Sequence, residues 1–207
     1  MKFFSPPNQL TFLRILLTPV FVAFLLSSSA ALHQWSVIVF ILAAITDWYD
    51  GWLARRWGYV TRWGAFFDPL ADKFVTSAAL IAYVSLDLVA GWMVWIIVVR
   101  DVVITLLRSY AEFKGKPVDT SKLAKTKTVG QYIIIYYLLI LYVGRNTPVL
   151  QENFGSLIQT LLDYTLVYAM MVFITAITLW TGIVYIIDNW KIIRELYDIS
   201  DKTAESE

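Results

Sequence analysis

Asp47-Trp48-Tyr49-Asp50-Gly51-Trp52-Leu53-Ala54-Arg55 and, eight residues later, Gly64-Ala65-Phe66-Phe67-Asp68-Pro69-Leu70-Ala71-Asp72 set four carboxylates between two long apolar runs. Asp47 and Asp50 are three apart, so on a helix they project from one side on adjacent turns. Asp68 and Asp72, four apart, do the same on the next helix. The flanking apolar runs, about 34–56 and 69–90, predict two membrane-crossing helices joined by a short connection. Such a pair packs antiparallel, so the two carboxylate pairs face each other.

Further runs at about 10–32, 92–112, 128–144 and 165–188 complete six predicted spans, each near the roughly 20 apolar residues that cross a bilayer. Of the 207 residues 58% are hydrophobic and 16% charged, which leaves too little polar surface to cover a soluble domain of this size. The predicted class is therefore an all-α polytopic membrane protein forming a single domain over 1–207. The absence of cysteine excludes disulfides and thiolate metal sites. The run from Leu10 to Leu32 is longer than a signal-peptide core and carries Arg14 and Pro19, so it reads as a retained first helix. Residues 1–9, with Pro6 and Pro7, predict a short interfacial segment, the prolines preventing a continuous helix into the membrane. Residues 198–207 predict a loose polar tail. Lys and Arg gather in the 55–73 segment, the 108–127 loop and the C-terminal tail, all on the side of the N-terminus. By the positive-inside rule both termini are cytoplasmic, and so is the face that carries the four acids.

Four carboxylates beside hydrocarbon are costly unless positive charge sits among them, since unpaired acids there take up protons. Hard divalent cations suit oxygen ligands, and Mg2+ or Mn2+ suits phosphate chemistry. Two ions in such a cluster clamp a pyrophosphate and stabilise attacking and leaving oxygens. Gly51, Ala54 and Gly64 lack bulk where a ligand or helix must approach, and Arg55 offers a planar fork to phosphate oxygens. Taken singly, each position also has a plainer reading. Asp68 before Pro69 is a good N-cap and N1 pair, Arg55 and Arg56 are ordinary interfacial anchors, and Gly51 is a packing residue. A divalent-cation transporter would also place acids in a membrane, but near the midplane with access to both faces. Here they lie at one face beside arginines.

The string D-x-x-D-G-x-x-A-R, eight residues, G-x-x-x-D-x-x-x-D resembles, at every defined position, the signature of CDP-alcohol phosphotransferases. That family has six membrane helices with this motif across the second and third. The resemblance implies that Asp47, Asp50, Asp68 and Asp72 bind two metal ions and that Asp72 also acts as general base. It implies that Gly51, Ala54, Arg55 and Gly64 line the CDP-lipid site, and that the chain is a homodimer.

Two looser stretches bear on the acceptor alcohol. Asn8-Gln9-Leu10-Thr11-Phe12-Leu13-Arg14 is similar to the N-x-L-T-x-x-R opening of bacterial phosphatidylglycerophosphate synthases, which adds Thr11 to the CDP-lipid site. Arg100-Asp101, Leu107-Arg108, then Lys125-Thr126-Lys127-Thr128 and Gln131 resemble their R-[ED]…LR…K-x-K-T-x-x-Q pattern, with Asp101 where glutamate is commoner. The resemblance implies CDP-diacylglycerol as donor, sn-glycerol 3-phosphate as acceptor, phosphatidylglycerophosphate and CMP as products, and a bacterial cytoplasmic (inner) membrane location. Arg108, Lys125 and Lys127 form a basic group suited to a dianionic acceptor head. Anionic lipid is the rival partner for the lysines. For Arg108 the rival is an ion pair with Asp101, seven residues earlier on the same helix face. Inositol phosphate, serine or another alcohol is the alternative acceptor. No nucleic-acid partner is expected.

Overall fold

A computed structural model describes the backbone of residues 6–57, 62–115 and 122–194, and the side chains of 9–46, 49, 52, 56, 66–115 and 125–194. Among the described residues the chain is entirely helical, without strands. Seven helices follow in order: α1 (Pro6–Leu25), α2 (Ala30–Trp57), α3 (Arg62–Ser85), α4 (Gly91–Phe113), α5 (Lys122–Arg145), α6 (Pro148–Leu161) and α7 (Tyr164–Asp188).

The core lies where α1, α2, α3, α4, α5 and α7 meet. Phe21, Phe40, Leu80, Met93, Ile97, Ile135 and Leu138 are all buried there. Tyr83 is fully buried, and its hydroxyl donates to the Ile135 carbonyl at 2.7 Å, tying α3 to α5. Outside, the pattern is the reverse of a soluble protein's. Trp95, Ile133, Phe173 and Ile187 are each more than 60% exposed, while Arg14, Asp101 and Lys127 are buried. An apolar exterior around a partly ionic interior fits a membrane protein. Among the described residues, 125–145 and 164–188 are long and apolar enough to cross a bilayer, and 9–25 and 30–46 form shorter apolar helices.

Several boundaries differ from expectation for identifiable reasons. Pro6 and Pro7 do not exclude helix; α1 begins at Pro6, because a first-turn proline lacks only an amide that has no helical partner. The first turn of chain falls at 26–29, earlier than the predicted break near 33, and Leu26 N donates to Val22 O there. α3 starts at Arg62, so Pro69 lies inside it and Asp68 is not its N-cap. α5 starts at Lys122, which places Gln131 well inside the helix rather than in its first turn. α6 was not expected. At 14 residues it is too short to span, and its Val149, Phe154 and Leu157 are exposed. Asp87 closes α3 in the left-handed region (φ 54°), where aspartate is tolerated better than most side chains. The Leu88 amide reaches back to Tyr83 O and that of Asp87 to Val84 O, a Schellman-type ending. Asp163 caps α7, accepting from the amides of Thr165 and Leu166.

Candidate active site

α3 carries the second carboxylate pair, and helical spacing puts Asp68 and Asp72 on one face. Each is held by a hydroxyl from another helix. Thr11 Oγ1 on α1 donates to Asp68 Oδ1 at 2.5 Å, and the Tyr132 hydroxyl on α5 donates to Asp72 Oδ1. α1 thus forms one wall of the site. Thr11 and Arg14, three apart, are both buried, and the Arg14 charge acts on Asp68. Asp68 stands just before the apolar run at 69–90. Burial raises its carboxyl above the ordinary value, against the opposing pull of the Thr11 hydrogen bond and Arg14.

Beside Asp72 lies an ionic network at the junction of α3, α4, α5 and α7. Its centre is Asp101, which is 2% exposed. Lys127 Nζ donates to Asp101 Oδ1 at 2.5 Å, and Arg100 donates to the same oxygen at 3.0 Å. Lys73 Nζ stands 3.6 Å from Asp101 Oδ2 and 4.0 Å from Asp72 Oδ2, so it links the network to the candidate base. Lys127 also donates to Gln131 Oε1 at 2.7 Å, and Arg100 to Thr181 Oγ1 at 3.0 Å on α7. Gly182 makes room for that arginine; a Cβ there would lie 3.0 Å from Arg100 Cγ.

The expected residues are distributed unequally. Asp68, Asp72 and Thr11 come together. The side chains of Asp47, Asp50, Gly51, Ala54, Arg55 and Gly64 lie outside those described, although α2 runs through 47–55 and α3 through 64. Arg108 and Lys125 are exposed, whereas Lys127 is buried. Two residues apart on α5, the lysines do not share a face. Lys125 therefore does not share the inward direction of Lys127. Nor does Asp101 hold Arg108, because Arg100, Lys73 and Lys127 are its ion-pair partners among the described residues. Tyr132 and Lys73 were not singled out from the sequence; Tyr132 follows Gln131 directly, but nothing in its type distinguishes it from the chain's other tyrosines. His33 is buried, with Nε2 donating to the Ser27 carbonyl at 2.6 Å, a role in the α1–α2 turn rather than in chemistry.

Among the described residues no three His, Cys, Asp or Glu side chains gather, as expected with Asp47 and Asp50 outside them. The two that are described suit a hard cation. Both are carboxylates on one helix face, each oriented through one oxygen by a hydroxyl donor.

Comparison with known proteins matches residues 4–187 to the family described as CDP-alcohol phosphatidyltransferase. The chain is 36% identical, over 203 residues, to the CDP-diacylglycerol–glycerol-3-phosphate 3-phosphatidyltransferase of Bacillus subtilis (strain 168), covering 92% of this chain and 98% of that one. Proteins of the same name from Salmonella paratyphi A and Escherichia coli K12 are 37% and 34% identical over 142 residues, each match covering 66% of this chain and 77% of the relative.

Proposed function

Because this chain belongs to the CDP-alcohol phosphatidyltransferase family, and is therefore an enzyme, we propose that it moves a phosphatidyl group from CDP-diacylglycerol to sn-glycerol 3-phosphate. The products are phosphatidylglycerophosphate and CMP, a step of phospholipid biosynthesis. The observation that carries the acceptor is the match to the Bacillus subtilis enzyme of that name, which extends over nearly both lengths.

The donor enters sideways from the cytoplasmic leaflet with its acyl chains still in lipid. Six spans, cytoplasmic termini and one domain over 1–207 are the arrangement supported by the apolar runs and the Lys/Arg distribution. A homodimer in the bacterial inner membrane follows from the family resemblance. Asp47, Asp50, Asp68 and Asp72 would hold two divalent ions, Mg2+ or Mn2+, whose charge would neutralise the pyrophosphate and the departing CMP. Thr11 fixes the Asp68 carboxylate, while Gly51, Ala54 and Gly64 let the cytidine approach the helices and Arg55 binds phosphate oxygens. Asp72 takes the proton from the 1-hydroxyl of glycerol 3-phosphate as that oxygen bonds to the phosphorus bearing the lipid. The phosphorus–oxygen bond to CMP breaks in the same displacement. A carboxylate is a weak base for an alcohol, so positioning and electrostatics supply most of the rate. Arg108 and Lys125, exposed on the same side, would attract the acceptor phosphate.

The test is acceptor choice. Purified protein with CDP-diacylglycerol and Mg2+ is offered glycerol 3-phosphate or inositol phosphate, and the lipid product is identified by mass. Phosphatidylglycerophosphate is expected; a phosphoinositide product alone would keep the family chemistry and overturn the acceptor.

A further inference from the structure

We infer that Tyr132 is a positioning residue for this transfer, its hydroxyl fixing the orientation in which Asp72 meets the acceptor alcohol; the inference rests on the reaction proposed above. An aspartate carboxylate turns easily about its last torsion, which has broad wells. A donor on one oxygen removes that freedom and leaves the other oxygen presented to the reacting hydroxyl. The Tyr132 hydroxyl supplies such a donor, reaching from α5 to Asp72 Oδ1 on α3. The Asp72 side chain is 27% exposed, and its other oxygen, Oδ2, has Lys73 Nζ 4.0 Å away.

Tyr132 is itself well anchored. Five residues before it Lys127 joins Asp101, its neighbour Gln131 joins Lys127, and three residues later the Ile135 carbonyl accepts from Tyr83. α5 is therefore tied to α4 before the tyrosine and to α3 after it, and the phenol is delivered from a fixed backbone. Tyr137, further along α5, shows the contrasting case. Its hydroxyl donates to the Leu161 carbonyl at 2.5 Å and ties α5 to α6.

The test compares Tyr132→Phe with Tyr137→Phe, each keeping its ring. Turnover and KM are measured at saturating Mg2+, thermal unfolding in detergent, and Mn2+ affinity by electron paramagnetic resonance on substrate-free protein. Tyr132→Phe is expected to lower kcat roughly tenfold or more, the scale of a hydrogen bond to a charged group. KM for both substrates should stay within about threefold and the melting temperature near that of the wild type, while Mn2+ binds several-fold more weakly. Tyr137→Phe should lower the melting temperature and leave kcat near normal. The role is overturned if Tyr132→Phe keeps both kcat and Mn2+ affinity, or loses activity only as folded protein is lost. A wild-type chain that releases no CMP would overturn the reaction and with it this role. An active wild type beside an equally active Tyr132→Phe overturns the role alone.

Discussion

Lys127 Nζ lies 2.5 Å from Asp101 Oδ1, with both side chains shut off from solvent. The pair joins α5 to α4 next to Asp72. Arg100 and Lys73 crowd the same carboxylate, so one acid balances three cations.

Removing that acid should be worse than removing any one cation. Asp101→Asn leaves Lys127 and Arg100 without their anion, and loss of one partner of a buried pair costs about 3–5 kcal/mol. Lys127→Met leaves Asp101 still facing Arg100 and Lys73, and should cost less. Thermal unfolding in detergent checks the order; equal or reversed effects would mean that Asp101 is not the centre of the network.

Thr11 donates its hydroxyl to Asp68 Oδ1. Thr11→Val, nearly the same shape, should lower kcat/KM by roughly tenfold through loss of a charge-assisted bond, and Thr11→Ser should restore most of it. Steady-state kinetics in mixed micelles decides. Equal behaviour of Val and Ser would assign Thr11 to packing.

The acceptor's phosphate should depend on Arg108 more than on Lys125. An exposed lysine is a flexible, screened charge, and its loss should raise KM for glycerol 3-phosphate at most about threefold. Arg108→Ala should raise it about tenfold or more, the scale of a lost charge-assisted hydrogen bond, with KM for CDP-diacylglycerol near normal. Equal shifts for both substrates would point instead to a general surface-charge effect.

Two glycines should respond in opposite directions. Gly182→Ala drives a methyl to 3.0 Å from Arg100 Cγ and 3.2 Å from its Nε, and overpacking of this kind costs about 1–3 kcal/mol. Gly155→Ala on α6 meets nothing closer than 3.7 Å, so it should stabilise by up to about 1 kcal/mol through helix propensity. Melting temperatures of the two variants test the contrast directly.

The helical class and most helix positions were legible because apolar runs of bilayer length have few other readings. α6 was not, since a 14-residue helix of mixed polarity falls below any spanning threshold. The pairing of Asp68 with Asp72 was legible from spacing alone. Thr11 was reached only through resemblance, because no local pattern says that α1 packs its threonine against α3. The inward turn of Lys127 was not legible either. Lys125 and Lys127 are close in sequence but two apart on a helix, so one faces out and the other is drawn inward to Asp101. Asp101 looked like a partner for Arg108 by helix periodicity. Arg100 beside it, Lys73 on α3 and Lys127 on α5 hold it instead, and the last two were invisible until those helices were packed together. Tyr132 carried no signal at all, since a tyrosine among 12 is marked only by what its hydroxyl touches.

The most direct measurement is CMP release by detergent-purified wild type, Asp68→Asn and Asp72→Asn, with CDP-diacylglycerol, Mg2+ and glycerol 3-phosphate. Release by the wild type should require glycerol 3-phosphate, stop on chelation, and fall about a hundredfold or more in Asp72→Asn, as for loss of a general base. Near-normal turnover in Asp72→Asn with metal still bound, or no release from folded wild type with any alcohol, would contradict the account.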